Sequence, residues 1–301
     1  MWWWIRGLVA FLAIAAGAAT ADARPFQKRP LARPAGGSRF AVLGDGGGDR
    51  AGQRRVARTL RRVHKDHPFE SVLLLGDNAH EGRSFKDAID RPYRKLGKQG
   101  VRFFPVLGNH DVSQGAARAR AQRRHFGVPR HYRVRPAPGV DAFAIDTTLF
   151  QKGSEELYGA RVEALRRREL AWLDRQLARS RARYKIVYGH HSMYTSIRAG
   201  DPEQTAPLRE QLEPILTRNK VALYLAGHYH YYERTAPIGG VTHMVSGGGG
   251  SKLVQPDRRA PHPRQVAVPE HHLVLFERVK GGLRFETVSA DGQTLDQGLI
   301  R

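Results

Sequence analysis

Residues 221–230, VALYLAGHYH, join a short apolar run to glycine and then to two histidines separated by one residue. Apolar runs of this length that contain β-branched and aromatic residues and end at glycine are typical of buried strands. His228 and His230 therefore follow directly after a predicted strand. At positions i and i+2 of such a segment their side chains can face the same side.

The same arrangement occurs four more times along the chain. Each time, a short apolar run leads into glycine and then into a residue that can ligate a metal ion. The segments are residues 40–45 (FAVLGD), 71–80 (SVLLLGDNAH), 103–111 (FFPVLGNHD) and 184–191 (YKIVYGHH). Turn chemistry alone explains a single Gly-Asp pair, but it requires neither Asn-His-Asp nor paired histidines. Because open α/β sheets place their sites at the carboxyl ends of strands, we predict one shared metal site.

Segments with apolar residues at helical spacing lie between these predicted strands. They are residues 56–63, 85–96, 170–177 and 208–216, with Pro92 as an irregularity in the second. Alternation of strands and helices predicts a largely parallel sheet. The C-terminal third differs, because residues 241–246 predict a strand before four glycines, and residues 273–279 and 283–288 predict a hairpin. We therefore expect a mixed α/β fold in which a second sheet packs against the first.

The chain has 301 residues and no cysteine. Disulfides, thiolate zinc sites and cysteine nucleophiles are therefore excluded. Metal ligands must come from His, Asp, Glu, Asn or Tyr, which is the set that suits manganese, iron and zinc.

The N-terminus has the features of a targeting segment. Residues 1–6 carry one positive charge, residues 7–18 are apolar, and small residues suitable for cleavage follow. We predict a cleaved signal peptide over residues 1–23 and secretion or periplasmic export, with an uncleaved anchor as the alternative. Residues 24–38 predict a flexible basic leader, and residues 39–301 a single catalytic domain without a membrane-spanning segment.

The formal net charge is +22, with an isoelectric point near 10.9. Such a charge attracts polyanions, but an arginine-rich composition with solvated basic faces explains it equally well. The segment at residues 54–63 favours the second interpretation, because its apolar residues form a buried helical stripe and its arginines fall on the other face. These arginines are Arg54, Arg55, Arg58, Arg61 and Arg62.

The order of the motifs resembles the calcineurin-like metallophosphoesterase superfamily. Within it, the chain is most similar to the purple acid phosphatase-like branch in its small single-domain form, as residues 172–177 (WLDRQL) and Gly46 also indicate. The resemblance extends from about residue 40 to the C-terminus. It implies a four-layer αββα sandwich of two mixed sheets flanked by helices, with the metals at one edge.

The resemblance also implies a secreted, dinuclear-metal-dependent hydrolase that cleaves phosphomonoesters by attack of a metal-activated hydroxide. Two metal ions about 3.5–4 Å apart can activate water and neutralise the phosphoryl oxygens. Two alternatives stay open. One is a phosphodiesterase or nuclease that uses the same site, and the other is a basic polyanion-binding protein with little turnover.

The family pattern assigns roles to the motif residues. Asp77 would bridge the two metals, which the remaining ligands would hold from either side. Asp45 and His230 would bind the first metal, and Asn109, His190 and His228 the second. His110 would reach the phosphoryl oxygens and assist the leaving group, and Asp111 would orient it by accepting its ring proton.

Three positions depart from the branch pattern. His80 occupies the place of a tyrosine that binds the first metal, so we expect an imidazole ligand, no purple colour, and iron, manganese or zinc in that site. Ser192 replaces a proline. The further histidines of acid phosphatases have no counterpart in residues 196–200, which puts acid-phosphatase behaviour in question. We therefore expect that substrate contacts come from His191, Arg198 or Tyr232, although His191 and Tyr232 are equally suited to packing.

Overall fold

A computed structural model describes residues 37–198 and 201–301 of the protein. The predicted signal peptide and nearly all of the predicted leader lie outside these residues. The strands are β1 (Arg39–Leu43), β2 (Ser71–Leu74), β3 (Arg102–Pro105), β4 (Tyr132–Ala137), β5 (Val140–Ala144), β6 (Tyr184–Tyr188), β7 (Leu223–Ala226), β8 (Tyr232–Thr235), β9 (Thr242–Ser246), β10 (Arg264–Val268), β11 (His272–Val279), β12 (Gly282–Ser289) and β13 (Thr294–Ile300). The α-helices are α1 (Arg50–Asp66), α2 (Arg91–Lys98), α3 (Asn109–Val112), α4 (Ala116–Phe126), α5 (Ser154–Tyr158), α6 (Val162–Arg179) and α7 (Pro202–Arg218).

The strands form two mixed sheets. One has the order β13-β12-β11-β1-β2-β3, and the other has the order β10-β8-β9-β7-β6-β5-β4. In the first sheet, β1, β2 and β3 are parallel and form one side, and the antiparallel strands β11, β12 and β13 form the other. In the second sheet, the parallel strands β5, β6, β7 and β9 are central, and antiparallel strands lie on either side of them. The two sheets that were expected are present, but the five motif strands, expected in one largely parallel sheet, divide between them. β1, β2 and β3 belong to the first, and β6 and β7 belong to the second.

Side-chain alternation along the second sheet shows how the layers stack. In β6, Ile186 and Tyr188 join the core shared with the first sheet, whereas Val187 packs into a separate core. Leu173 of α6 and Leu212 of α7 complete that separate core. Helices α1 and α2 pack on the first sheet. The molecule is thus a four-layer αββα sandwich, which confirms the predicted fold class.

The predicted helices are present, with one irregularity. Residues 86–90 form a π-helical turn that continues into α2, whose first turn contains Pro92. Proline has no backbone N–H to donate, which is tolerated in the first turn of a helix. Asp49 caps α1 by accepting hydrogen bonds from the N–H groups of Ala51 and Gly52.

The C-terminal hairpin is also confirmed, since Val279 of β11 pairs with Gly282 of β12. Strands β4, β5, β8, β10 and β13 were not predicted. Of these, β4, β10 and β13 are edge strands, each with no partner on one side among the described residues, and β5 and β8 lie next to β4 and β10. Among the described residues, no helix combines the length and apolar character that a membrane crossing requires.

Candidate metal centre

The carboxyl ends of the five motif strands meet at one edge of the sandwich. Asn109 Oδ1, which follows β3, lies 2.9 Å from His190 Nε2 and 3.0 Å from His228 Nδ1. Asp77 Oδ2, which follows β2, lies 3.5 Å from His190 Nε2. These residues form a group of oxygen and imidazole nitrogen atoms that points inward from both sheets.

A second group adjoins the first through Asp77. His80 Nε2 lies 3.7 Å from Asp77 Oδ2, and His230 Nε2 lies 3.5 Å from Asp45 Oδ1. Asp45, Asp77 and His190 each offer a ligand atom within 4.8 Å of the others. The Asp77 carboxylate therefore lies between the two groups, where a bridging ligand is needed.

The backbone is held in an unusual conformation at three of these residues. Asp45, Asp77 and His228 each follow the glycine at a strand end and have φ angles of 61°, 50° and 70°. Left-handed backbone is uncommon for residues other than glycine, although Asp and His adopt it more often than most. Such conformations cost about 1–3 kcal/mol each and cluster at functional sites.

Two glycines allow the ligand loops to approach closely. A Cβ atom at Gly108 would overlap Asp77 Oδ1 and the Asp77 backbone N, and one at Gly227 would overlap Asp45 Oδ2. A side chain at either position would displace a carboxylate of the site. The recurrent glycine in the motifs is therefore required at these two positions by the packing of one ligand loop on another.

Hydrogen bonds fix the orientation of two imidazole rings. His190 Nδ1 donates to the Leu75 carbonyl at 2.8 Å, and His230 Nδ1 donates to the Lys252 carbonyl at 2.8 Å. In each ring the remaining Nε2 faces a carboxylate of the site. Such backbone contacts set the tautomer and aim of metal-binding histidines.

The site also contains buried polar atoms without a partner. His80 Nε2 forms no hydrogen bond with any residue in the described ranges, and Asp45 Oδ1 has only the longer ion-pair contact of 3.5 Å with His230 Nε2. Burial and the charges of Asp45 and Asp111 raise the pKa of Asp77 well above its usual value. Unpaired buried polar atoms and clustered carboxylates are costly unless a cation compensates them. The donor set therefore fits a pair of metal ions.

The histidines of the site differ in their protonation. Burial lowers the pKa of His80 to about 4 and that of His228 to about 3. Burial also lowers the pKa of His230, but the Asp45 carboxylate more than offsets this and raises it to about 9. At neutral pH, His80 and His228 are therefore neutral and ready to ligate, whereas His230 must first lose a proton.

The expected contact between Asp111 and His110 is absent from the structure, so the orienting role predicted for Asp111 is wrong. Asp111 is fully buried, and its carboxylate accepts hydrogen bonds from the backbone N–H groups of Asn78, Ala79 and Gly108. The ring of His110 instead meets Glu81, whose Oε1 and Oε2 both lie 3.0 Å from His110 Nδ1. No motif in the sequence distinguishes Glu81 from an ordinary surface carboxylate.

The three candidates for substrate contact lie in different surroundings. His191 is buried beside His228, with its Nδ1 3.0 Å from Thr147 Oγ1 and its Nε2 without a hydrogen-bond partner among the described residues. Arg198 is exposed and has a φ angle of 48°. Tyr232 is fully buried and its hydroxyl donates to Asp296, which agrees with the packing alternative for this residue and not with substrate contact.

We expect metal loading to release a proton from His230. Because its pKa of about 9 lies above the ordinary value, the protonated form prevails below pH 9 and metal must displace that proton. Apparent affinity should therefore rise with pH up to about 9. Calorimetric titration at pH 7.5 in two buffers of different ionisation enthalpy measures the protons released. His230→Gln should release about one proton fewer, and an unchanged count would contradict this assignment.

The sequence and the fold were compared with those of known proteins. Residues 38–232 match the family model described as calcineurin-like phosphoesterase. The chain is 27% identical over 292 residues to human (Homo sapiens) tartrate-resistant acid phosphatase type 5, covering 85% of this chain and 86% of the human protein. It is 31% identical over 246 residues to purple acid phosphatase 7 of Arabidopsis thaliana, covering 74% of this chain and 73% of the plant protein.

A solved structure shares the fold at lower identity. GAP50, described as the anchor in the inner membrane complex of Plasmodium, aligns with a TM-score of 0.74 and 20% sequence identity. The alignment covers 87% of this chain and 88% of that protein. At this identity the likeness concerns the fold alone.

Proposed function

The chain belongs to the calcineurin-like phosphoesterase family and to its purple acid phosphatase-like branch, and on this premise we propose that it hydrolyses phosphomonoesters at a pair of metal ions. Members of this branch are metal-dependent phosphoric ester hydrolases, and so is this protein. The observation that carries the proposal is the position of Asp77, whose carboxylate lies between two groups of ligand atoms.

Each metal position has its own set of candidate ligands, with Asp77 common to both. The first set contains Asp45, Asp77, His80 and His230, and the second contains Asp77, Asn109, His190 and His228. When bound, two metal ions neutralise the phosphoryl oxygens and activate water. Iron, manganese and zinc all suit these ligands. A neutral imidazole at His80 supplies no phenolate to favour iron(III).

His110 is proposed as the residue that assists the leaving group. Its side chain is partly exposed and its ring stacks on that of His80, with centroids 4.0 Å apart. Glu81 holds the ring at Nδ1, which leaves Nε2 to donate a proton to the leaving oxygen. Partial burial raises the pKa of Glu81, but hydrogen bonds from Ser113, from its own backbone and from His110 outweigh it and lower this pKa to about 2, so the carboxylate is charged.

We expect Asp77→Ala to abolish turnover, because a neutral side chain cannot bridge two cations. Hydrolysis of a nitrophenyl monoester should fall by several orders of magnitude, and metal analysis should show loss of at least one equivalent. Asp291→Ala removes an exposed carboxylate and is the matched control.

A chelator should abolish wild-type activity reversibly. Near-wild-type turnover in Asp77→Ala would refute the two-metal proposal, and faster cleavage of the matching diester would favour a phosphodiesterase.

Glu81 and His110 are expected to act as one unit. His110→Ala should lower kcat by about 10²–10⁴-fold with its metal content unchanged. Glu81→Gln should lower kcat less, because the ring remains but loses its orientation. In the His110→Ala background, Glu81→Gln should have no further effect on kcat. Additive losses in the double variant would show that Glu81 acts through something other than His110.

Export from the cytoplasm is part of the proposal and rests on residues 1–23, whose apolar segment ends at small residues suitable for cleavage. The mature protein is then expected to begin near Asp22 or Arg24. N-terminal sequencing of protein from its native host tests this. Recovery of chains that retain residue 1 in the membrane fraction would instead indicate an anchor.

A further inference from the structure

A groove of about 360 Å³ lies between α1 and the segment that leads into α2, and no proposed metal ligand lines it. Six arginines line it, and they are Arg50, Arg54, Arg58, Arg61, Arg83 and Arg91. The only carboxylate in its lining is that of Asp87. Its volume is typical of ligand pockets, but such pockets are usually lined by apolar and aromatic side chains. The chemistry of this lining selects for negative charge.

The arginines of α1 form a row along one face of the helix. Residues 50, 54, 58 and 61 follow one another at spacings of four, four and three, which places them on the same side of an α-helix. From the first to the last, the row extends about 16 Å along the helix axis. A single phosphate group would meet one or two of these side chains, whereas the whole row suits an extended anion.

Most of this row lacks a direct partner within the described residues. Arg50, Arg54 and Arg58 have no hydrogen-bond or ion-pair partner in residues 37–198 and 201–301, and α1 has no acidic residue in its first turn. The carboxylate of Asp87 is already engaged by Arg91 and Ser84. Like charges at helical spacing destabilise a helix by about 0.2–0.5 kcal/mol per pair. The charges of Asp49 and Asp87 attract Arg54 and Arg50 through space, but no carboxylate of the described residues contacts Arg50, Arg54 or Arg58 directly.

Arg83 is a buried lining residue of the groove, and hydrogen bonds hold its side chain in place. Its side chain is 9% exposed, and its guanidinium donates to the Gly47 carbonyl at 2.7 Å and to Gln53 Oε1 at 2.8 Å. Its Nε is buried and has no hydrogen-bond partner in the described part of the chain. A fixed, buried guanidinium with an unused donor is a feature of a site rather than of a solvated surface.

We propose that this groove binds a chain of linked phosphates, such as short inorganic polyphosphate. Guanidinium groups bind phosphate oxygens through paired, charge-assisted hydrogen bonds, and the row offers several in line. Single-stranded nucleic acid is less suited, because its binding sites stack bases on aromatic side chains and the lining contains none. The proposal is independent of the proposed function, since none of these arginines belongs to the metal-ligand groups.

The test compares two variants that lose the same number of charges. The first, Arg50→Gln/Arg54→Gln/Arg58→Gln, neutralises the row. The second, Arg168→Gln/Arg175→Gln/Arg179→Gln, neutralises three exposed arginines of α6 in the opposite outer layer. Glutamine and arginine have similar helix propensities, so both helices should be preserved. Both variants keep the metal site, so binding of the probe there contributes equally to each.

Binding of fluorescently labelled short-chain inorganic polyphosphate to the full chain is measured by anisotropy, with phosphate release followed in the same samples. The row variant should bind at least about tenfold more weakly than wild type, because each charge-assisted hydrogen bond contributes about that factor. The α6 variant should stay within about twofold of wild type, because surface charges away from the contact mainly affect long-range attraction. Turnover of a nitrophenyl monoester should be unchanged in both.

A stability measurement separates binding from a structural role. At low salt, the unfolding temperature of the row variant should equal or exceed that of wild type, because repulsion along α1 is relieved. Polyphosphate should raise the unfolding temperature of wild type more than that of the row variant. Equal weakening of polyphosphate binding in the two variants would overturn the proposal, because it would show that the probe is attracted by the net positive charge of the protein and not by the groove. Tighter binding of an oligonucleotide of matched charge, lost in the row variant, would overturn polyphosphate as the occupant.

Discussion

The burial of three carboxylates within one site is the constraint on which the rest of the structure depends. Asp45, Asp77 and Asp111 are each at most 1% exposed. Backbone amides satisfy Asp111, so that carboxylate is paired by the fold itself. Asp45 keeps Oδ1 without a hydrogen-bond partner among the described residues, and burial together with the neighbouring charges raises the pKa of Asp77. Asp111 therefore organises the loops, whereas the buried charges of Asp45 and Asp77 require cations to compensate them.

The site lies between the two sheets because a pair of cations needs ligands from both of them. Oxygen ligands come from strands of one sheet and most of the imidazole ligands come from the other, so neither sheet alone holds a complete set. Backbone hydrogen bonds join the two edges, since Gly44 N donates to the Ser246 carbonyl and Gly249 N donates to the Gly44 carbonyl. The left-handed backbone of Asp45 is costly in isolation. These hydrogen bonds, on both sides of the loop, stabilise it in the folded protein.

The sequence predicts the fold class and the residues that meet at the site, because each motif joins a strand to a ligand and strand ends converge. It does not show which sheet each strand joins, since pairing depends on contacts between distant segments. It also misassigns Asp111, whose carboxylate binds backbone amides instead of His110, and it leaves open whether Tyr232 contacts substrate or packs in the core. The contact between Glu81 and His110 joins two loops, and no spacing in the sequence encodes it.

The arginines show why composition alone leaves function undecided. Helices α1 and α6 both carry several exposed arginines, and the sequence pattern of α1 was interpreted as a solvated basic face. The arginine row of α1 lines a groove together with the buried Arg83. Arg83 also donates to the carbonyl of Gly47, whose N–H donates to the carbonyl of Asp77. The same guanidinium thus lines the groove and supports the loop beside Asp45, which connects the basic surface to the acidic centre through backbone hydrogen bonds.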